Sequence, residues 1–390
     1  MRILLLPFLT LLFAHADAAP RPADADWPLL GNSPEMQHHS TLEQISRRNV
    51  SRLGLAWWAE EPATNGFVGN PLVKGGVIFQ GGSGGQIVAN DLRSGKVLWT
   101  FKPDYDLKDA SLISYWSMQV NRGVALWKDL VIIAANCRLI AVDQKSGKKR
   151  WETPACDPKD YYSITAAPRV GEGLVFTGNA CGDSGQTRGH VDAFDAATGA
   201  HRWRFHTVPG DPSKPQDSPL YEMAAKSWGT DWYSKTRGCG SAWDAITYDA
   251  KLHQIYVGVG GPAPFAPTAR AADAGDELFT NSIVALDART GAYRWHFKQV
   301  PHDAWNYEPA VGIMLADLPA AKGSRRVVLS VPKNGFAYVL DARSGKFLSG
   351  DKYVEVNWAK GLDSNGRPIP DPASSPLRRG RFPCWGKGWE

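Results

Sequence analysis

The sequence predicts an all-β protein built from repeated four-stranded blades set around an axis. Three observations predict it. An aspartate–glycine turn, followed in four of its copies by tryptophan, recurs five times; the chain carries 16 Trp with 39 Gly and 27 Pro; and short β runs precede the turns. Many aromatic packing positions among many turn formers belong to large all-β architectures, and a period near 50 residues belongs to one supersecondary unit per repeat.

The repeat is read from Asp91, Gly95 and Trp99; Asp143, Gly147 and Trp151; Asp195, Gly199 and Trp203; Asp287, Gly291 and Trp295; and Asp341 with Gly345. The Asp-to-Asp spacings are 52, 52, 92 and 54 residues. In each copy a β run ends at the Asp, whose carboxylate bonds backbone N–H groups just beyond it. Ser/Thr-Gly closes the turn, with Gly supplying a positive φ. The next strand then carries the Trp, read as packing between neighbouring blades. Runs such as Gly76–Gln80 and Leu130–Ala134 supply the other strands. The 92-residue interval predicts one blade with an insertion of about 40 residues, placed at 209–235 by its Pro, Ser and Asp content.

Residues 1–18 read as a secretory signal peptide: Arg2, an apolar run from Ile3 to Ala14, and the small-x-small site Ala16-Asp17-Ala18. The run is shorter than the roughly 20 residues a spanning helix needs. With no Cys before Cys137 for a lipid anchor, the expectation is a propeller domain over 19–390 in the periplasm or secreted, without a membrane anchor. A net charge of +5 without a basic block argues against nucleic acid as a partner. The five cysteines include no CxxC or CxxCH, so neither zinc nor covalent haem is expected. One disulfide is possible, its pairing unassigned.

Beyond the repeat, Trp27–Gly31, Leu42–Ile45, Asn49-Val50, Val120–Ala125, Ile164–Pro168, Ala242–Asp249, Pro301–Asp303 and Lys333–Phe336 occur in one order. In these segments and the repeat the chain resembles the quinoprotein alcohol dehydrogenases, periplasmic eight-bladed propellers that use pyrroloquinoline quinone (PQQ). The resemblance covers essentially the whole mature chain. It implies oxidation of a small alcohol by hydride transfer to PQQ, with electrons passed to a cytochrome c. Arg122 is implied to hold the quinone's polar edge and Thr165 to bond it. Trp243 would be the ring on which it stacks, and Lys333, with Asn334 beside it, a cation near its reactive carbonyls.

The same resemblance implies calcium beside the quinone, and here the chain departs from the pattern. The three family ligand positions fall at Ser184, Gly261 and Asn306, where the family has Glu, Asn and the Asp usually taken as the base. Calcium takes six to eight oxygens, several of them anionic, and a carboxamide is not basic enough to replace the Asp. The metal site and catalysis are therefore in question. Candidates to restore an acid are Asp183, Asp303 and Glu308; on an extended segment Glu308 would share a face with Asn306. Val68 stands where a Glu approaches the cofactor, and Trp116-Ser117 replaces an adjacent cysteine pair. The chain stops at Cys384–Glu390 with the resemblance still running, about five blades into the eight-bladed ring. Truncation, closure by a second polypeptide and a tighter five-bladed ring are the alternatives, with truncation favoured. Three readings stay open: a PQQ-dependent alcohol dehydrogenase, a non-catalytic PQQ-like scaffold of the cell envelope, or an inactive fragment.

Overall fold

The computed structural model describes residues 25–60, 68–104, 119–181, 185–271, 273–321 and 323–374. The signal-peptide segment, Trp116-Ser117, Asp183, Ser184 and Cys384 lie outside them. Among the described residues the chain forms five four-stranded sheets, each an antiparallel meander in its core strands. The first comprises Leu72–Lys74, Val77–Gly81, Ile87–Asp91 and Val97–Phe101. The second comprises Ala125–Trp127, Leu130–Ala135, Arg138–Asp143 and Lys149–Pro154. The third comprises Arg169–Gly171, Leu174–Gly178, His190–Asp195 and His201–His206. The fourth comprises Ile246–Asp249, Gln254–Gly258, Ser282–Asp287 and Tyr293–Lys298. Ile313–Pro319, Ser324–Ser330, Phe336–Asp341 and Phe347–Lys352 make the fifth.

The sheets stack face to face in chain order. Side chains alternate across a strand, so Val131 and Ile133 pack toward the first sheet while Leu130, Ile132 and Ala134 pack toward the third. Burial on both faces explains why such strands are continuous apolar runs rather than alternating ones. Further interfaces join the third sheet to the fourth and the fourth to the fifth.

Each aspartate turn is built the same way. The Asp Oδ1 accepts from the N–H groups two and three residues on and from the Ser/Thr hydroxyl three residues on, at 2.7–3.2 Å. The glycine that follows has φ between +67° and +76° in all five copies. Its missing side chain matters a second time, because the tryptophan of the preceding sheet lies on it. A Cβ on Gly291 would stand 2.6 Å from Trp203 Cε3, and Trp99, Trp151 and Trp295 lie likewise on Gly147, Gly199 and Gly345. The indole N–H of Trp99, Trp203 and Trp295 donates to the carbonyl after the next sheet's Asp: Gln144, Ala288 and Ala342, at 3.0–3.1 Å. Trp57 docks identically on Gly95 and donates to Leu92 O at 3.0 Å. Trp57 has no aspartate turn before it and stands 42 residues from Trp99 rather than one period, which hid it from sequence reasoning.

The long interval is two excursions, not one. Between the third and fourth sheets, 207–245 hold the helices Pro219–Ala225 and Trp232–Lys235, covering the predicted 209–235. A second excursion, 259–281, splits the fourth sheet between its second and third strands. The two meet where Gly238–Cys239 pairs with Pro262–Ala263. Two disulfides form where one was thought possible: Cys137–Cys156 (Cα–Cα 4.7 Å) and Cys181–Cys239 (5.9 Å), the latter pinning the first excursion to the third sheet's inner loop. No helix among the described residues is long and apolar enough to cross a membrane.

Two predictions follow from this packing. Gly291→Ala forces both a positive φ and an overlap with Trp203, so urea denaturation should show a loss above about 2 kcal/mol. Glu172, on the hairpin joining the first two strands of the third sheet, accepts from Tyr248 Oη (2.8 Å) and Arg289 Nε (2.9 Å) of the fourth and contacts His253. Burial pushes its carboxyl up, but the bonds from His253, Arg289 and Tyr248 outweigh that and hold it at about 2, below the ordinary 4.5. A depressed carboxyl contributes stability that is complete above the unfolded value and lost as pH falls through the folded one. Denaturation midpoints should drop between pH 4.5 and 2, and Glu172→Gln should flatten that limb.

Candidate functional site

Four segments enter the first strands of sheets two to five, and those strands lie side by side along the inside of the array. Arg122 stands three residues before Ala125, Thr165 four before Arg169, Trp243 three before Ile246, and Glu308 five before Ile313. Stacking the sheets therefore brings together residues that are far apart in the chain. The backbone joins them: Asn70 N–H donates to Arg122 O (3.2 Å) and Arg122 N–H to Thr165 O (3.1 Å). Thr165 Oγ1 donates to Trp243 O at 3.4 Å, and Trp243 Nε1 to Glu308 Oε1 at 3.2 Å. Lys333, from the loop between the second and third strands of the fifth sheet, donates from Nζ to the same Oε1 at 3.0 Å. The Gly261 N–H takes Glu308 Oε2 at 3.2 Å.

The Arg122 guanidinium lies over the Trp243 ring, 4.5 Å from its centroid. Arg122 spends one side-chain bond on protein among the described residues, Nη1 to Thr165 O at 3.3 Å. Desolvation lowers its pKa, opposed by the nearby charges of Asp244 and Glu308. A half-buried planar cation with unspent donors against an indole face can donate to an anionic group beside an aromatic surface.

Glu308 reaches this cluster because the loop 301–308 is held from behind. Asp303 is buried; its Oδ1 accepts from Trp305 N–H (2.8 Å) and its Oδ2 from Tyr307 N–H (3.0 Å) and Asn281 Nδ2 (3.1 Å). Burial raises its pKa, against the lowering effect of those two backbone bonds. Asn306, at the loop's crest, has φ +61°, and its Oδ1 is buried without a hydrogen-bond partner, as is Asn281 Oδ1. Beneath the loop Arg270 and Glu277, both 0% exposed, pair through Nε–Oε1 at 2.7 Å and Nη2–Oε2 at 2.9 Å. Arg270 also donates to Asp303 O (3.0 Å), Pro264 O (2.7 Å) and Phe265 O (2.8 Å), tying the 259–281 excursion to the loop. Lys298, buried beside them, donates to Thr280 O at 2.6 Å; burial pulls its pKa down to about 8.

The structure thus gathers Arg122, Thr165, Trp243, Lys333 and Glu308. Asn334 sits apart in role: its carboxamide is engaged by Gln299 O (3.0 Å), Tyr338 Oη (2.8 Å) and Phe336 N–H (3.0 Å). Val68 is exposed, two residues before Asn70. Arg270, Glu277 and Asn281 were not found from the sequence; each is a common polar residue without a motif, and only the burial of the pair and of the amide marks them.

A buried ion pair broken on one side leaves an uncompensated charge, so Glu277→Ala should cost about 3–5 kcal/mol by chemical denaturation. The replacement of both partners, Arg270→Met with Glu277→Leu, should recover much of that loss while leaving Asp303 O without its donor.

Comparison with known proteins places the sheet array in a family. Residues 27–359 match the PQQ family described as glucose/ethanol/alcohol dehydrogenase, beta-propeller domain. Lupanine 17-hydroxylase (cytochrome c) of Pseudomonas sp is 54% identical over 348 residues, 88% of this chain and 50% of its own length. Quinohemoprotein alcohol dehydrogenase of Comamonas testosteroni is 40% identical over 361 residues, 92% of this chain and 50% of its own. Its crystal structure superposes with a TM-score of 0.83, over 89% of this chain and 52% of that one. A europium-containing methanol dehydrogenase gives 0.79 at 28% identity, over 89% and 62%. The chain spans about half the length of the curated relatives it matches. Sheet array and sequence together make this chain a member of the PQQ-dependent alcohol dehydrogenase family, within its β-propeller domain.

Proposed function

We propose that this chain provides the PQQ-binding face of a dehydrogenase that oxidises a small alcohol outside the cytoplasm and passes the electrons to a cytochrome c. The observation that carries the reading is the Arg122 guanidinium stacked on Trp243, with Thr165, Lys333 and Glu308 bonded into one network. These residues fit PQQ, a flat polycarboxylate. The Trp243 indole offers the stacking face, Arg122 the forked cation for carboxylates, and Lys333 an ammonium for a quinone oxygen. When bound, PQQ supplies a two-electron acceptor for an alcohol carbon. Glu308 is the pocket carboxylate whose oxygens contact both Trp243 and Lys333, and we assign to it receipt of the substrate hydroxyl proton. Thr165 and Asn70 hold the entering loops in register, so Arg122 and Trp243 keep their separation.

Calcium does not fit the described residues at the family positions. Gly261 has no side chain, and its N–H, a donor, points at Glu308. Asn306 supplies one neutral amide oxygen. Both oxygens of Asp303 are turned onto N–H groups. These same substitutions favour a second reading, a scaffold that holds PQQ without turnover.

Titrating the purified chain with PQQ while following tryptophan fluorescence and dye-linked alcohol oxidation separates the two. Quenching that Trp243→Ala or Arg122→Ala weakens about tenfold or more supports the binding face. Turnover reduced about a hundredfold by Glu308→Gln supports the dehydrogenase. Saturable binding with no oxidation favours the scaffold, and no binding removes both.

A further inference from the structure

We infer that this pocket carries its cation within the chain: the Lys333 ammonium, clamped on Glu308, takes the place of a divalent metal, and PQQ binds without calcium. The inference rests on the PQQ reading above and concerns how that site is charged.

Both oxygens of Glu308 are already bonded to protein donors. Its Oε1 accepts from Trp243 Nε1 (3.2 Å) and Lys333 Nζ (3.0 Å), and its Oε2 from the Gly261 N–H (3.2 Å). A divalent cation binding that carboxylate would have to displace donors and would meet the ammonium's like charge on the same oxygen. Lys333 itself has one protein partner among the described residues and its side chain is 39% exposed, so its remaining N–H groups are open to a ligand in the pocket.

Around Gly261 the remaining oxygens are also unsuited to a hard dication. A Cβ there would find Asp303 Oδ2 at 3.5 Å, Asn281 Oδ1 at 3.6 Å and Phe265 at 3.7 Å, ordinary contact distances. Space for a Cβ therefore exists, and the sequence leaves it unfilled. Asp303 faces three N–H donors, and among the described residues the uncommitted buried oxygens at this end are the neutral amides of Asn281 and Asn306. Neutral amides accept hydrogen bonds well but do not by themselves hold calcium, which asks for several anionic oxygens. Among the described residues the cations available to a polyanionic quinone are Arg122 and Lys333, with Glu308 and Asp244 as the carboxylates near them, so the positive groups are supplied by the chain without any ion added.

The test uses the full chain freed of metal with EDTA. PQQ affinity is read from tryptophan quenching in EDTA and in millimolar calcium chloride, and bound calcium is counted by elemental analysis. The expected result is the same affinity in both buffers within about threefold, no stoichiometric calcium, and a loss of about tenfold or more in both buffers for Lys333→Met. Circular dichroism of the variant confirms its fold. Should it fail to fold, the wild-type chain alone decides the question. Affinity that rises about tenfold or more with calcium, or one calcium retained per PQQ, overturns the inference while leaving the PQQ reading standing. Affinity indifferent to Lys333→Met also overturns it. No binding in either buffer removes the PQQ reading and this inference with it.

Discussion

The contact on which the rest depends is an indole laid on a glycine. Each docking tryptophan covers the positive-φ glycine of the next sheet's aspartate turn, closely enough that no Cβ fits between them. Three features meet there: the turn, the Trp and the carbonyl that accepts the indole N–H. They fix the distance and rotation between successive sheets at the outer edge. Large aromatic surfaces buried at that edge contribute about 2–3 kcal/mol each, and the apolar faces of the strands do the same work further in. Trp151 alone among them has an indole N–H without a partner, so its docking rests on packing.

Fixing the outer edge fixes the inner one. The first strands of the sheets lie alongside one another, and the loops entering them are linked by bonds from Asn70 to Arg122 to Thr165 to Trp243 to Glu308. A site of this kind needs no single rigid loop, since each side chain is held by its own sheet and cross-braced by its neighbours. The buried Arg270–Glu277 pair and the Asp303 hub do the corresponding work beneath Glu308. Here polar burial serves position more than stability, because ion pairs of this depth contribute little net free energy.

The polar groups around Glu308 are chemically consistent with one another. Glu308 brings a carboxylate, and Trp243, Lys333 and the Gly261 N–H bring the donors that balance it. Removing one of these partners alone would leave a charge or an acceptor without its counterpart, which is costly where the group is buried.

The sequence by itself determined the sheets: the Asp, Ser/Thr, Gly and Trp spacing is local chemistry, dictated by which residues tolerate a positive φ and which side chains reach the backbone two and three residues on. It also placed Arg122, Thr165, Trp243 and Lys333 as site candidates, through segments in a shared order. Only the tertiary structure decided what Glu308 touches, that Asn334 is spent inside the fifth sheet, that Trp57 is a docking residue, and that the long interval is two excursions bridged by Cys181–Cys239. Those facts depend on which loops meet at the inner edge, and that is set by the stacking of whole sheets rather than by the pattern of any one segment.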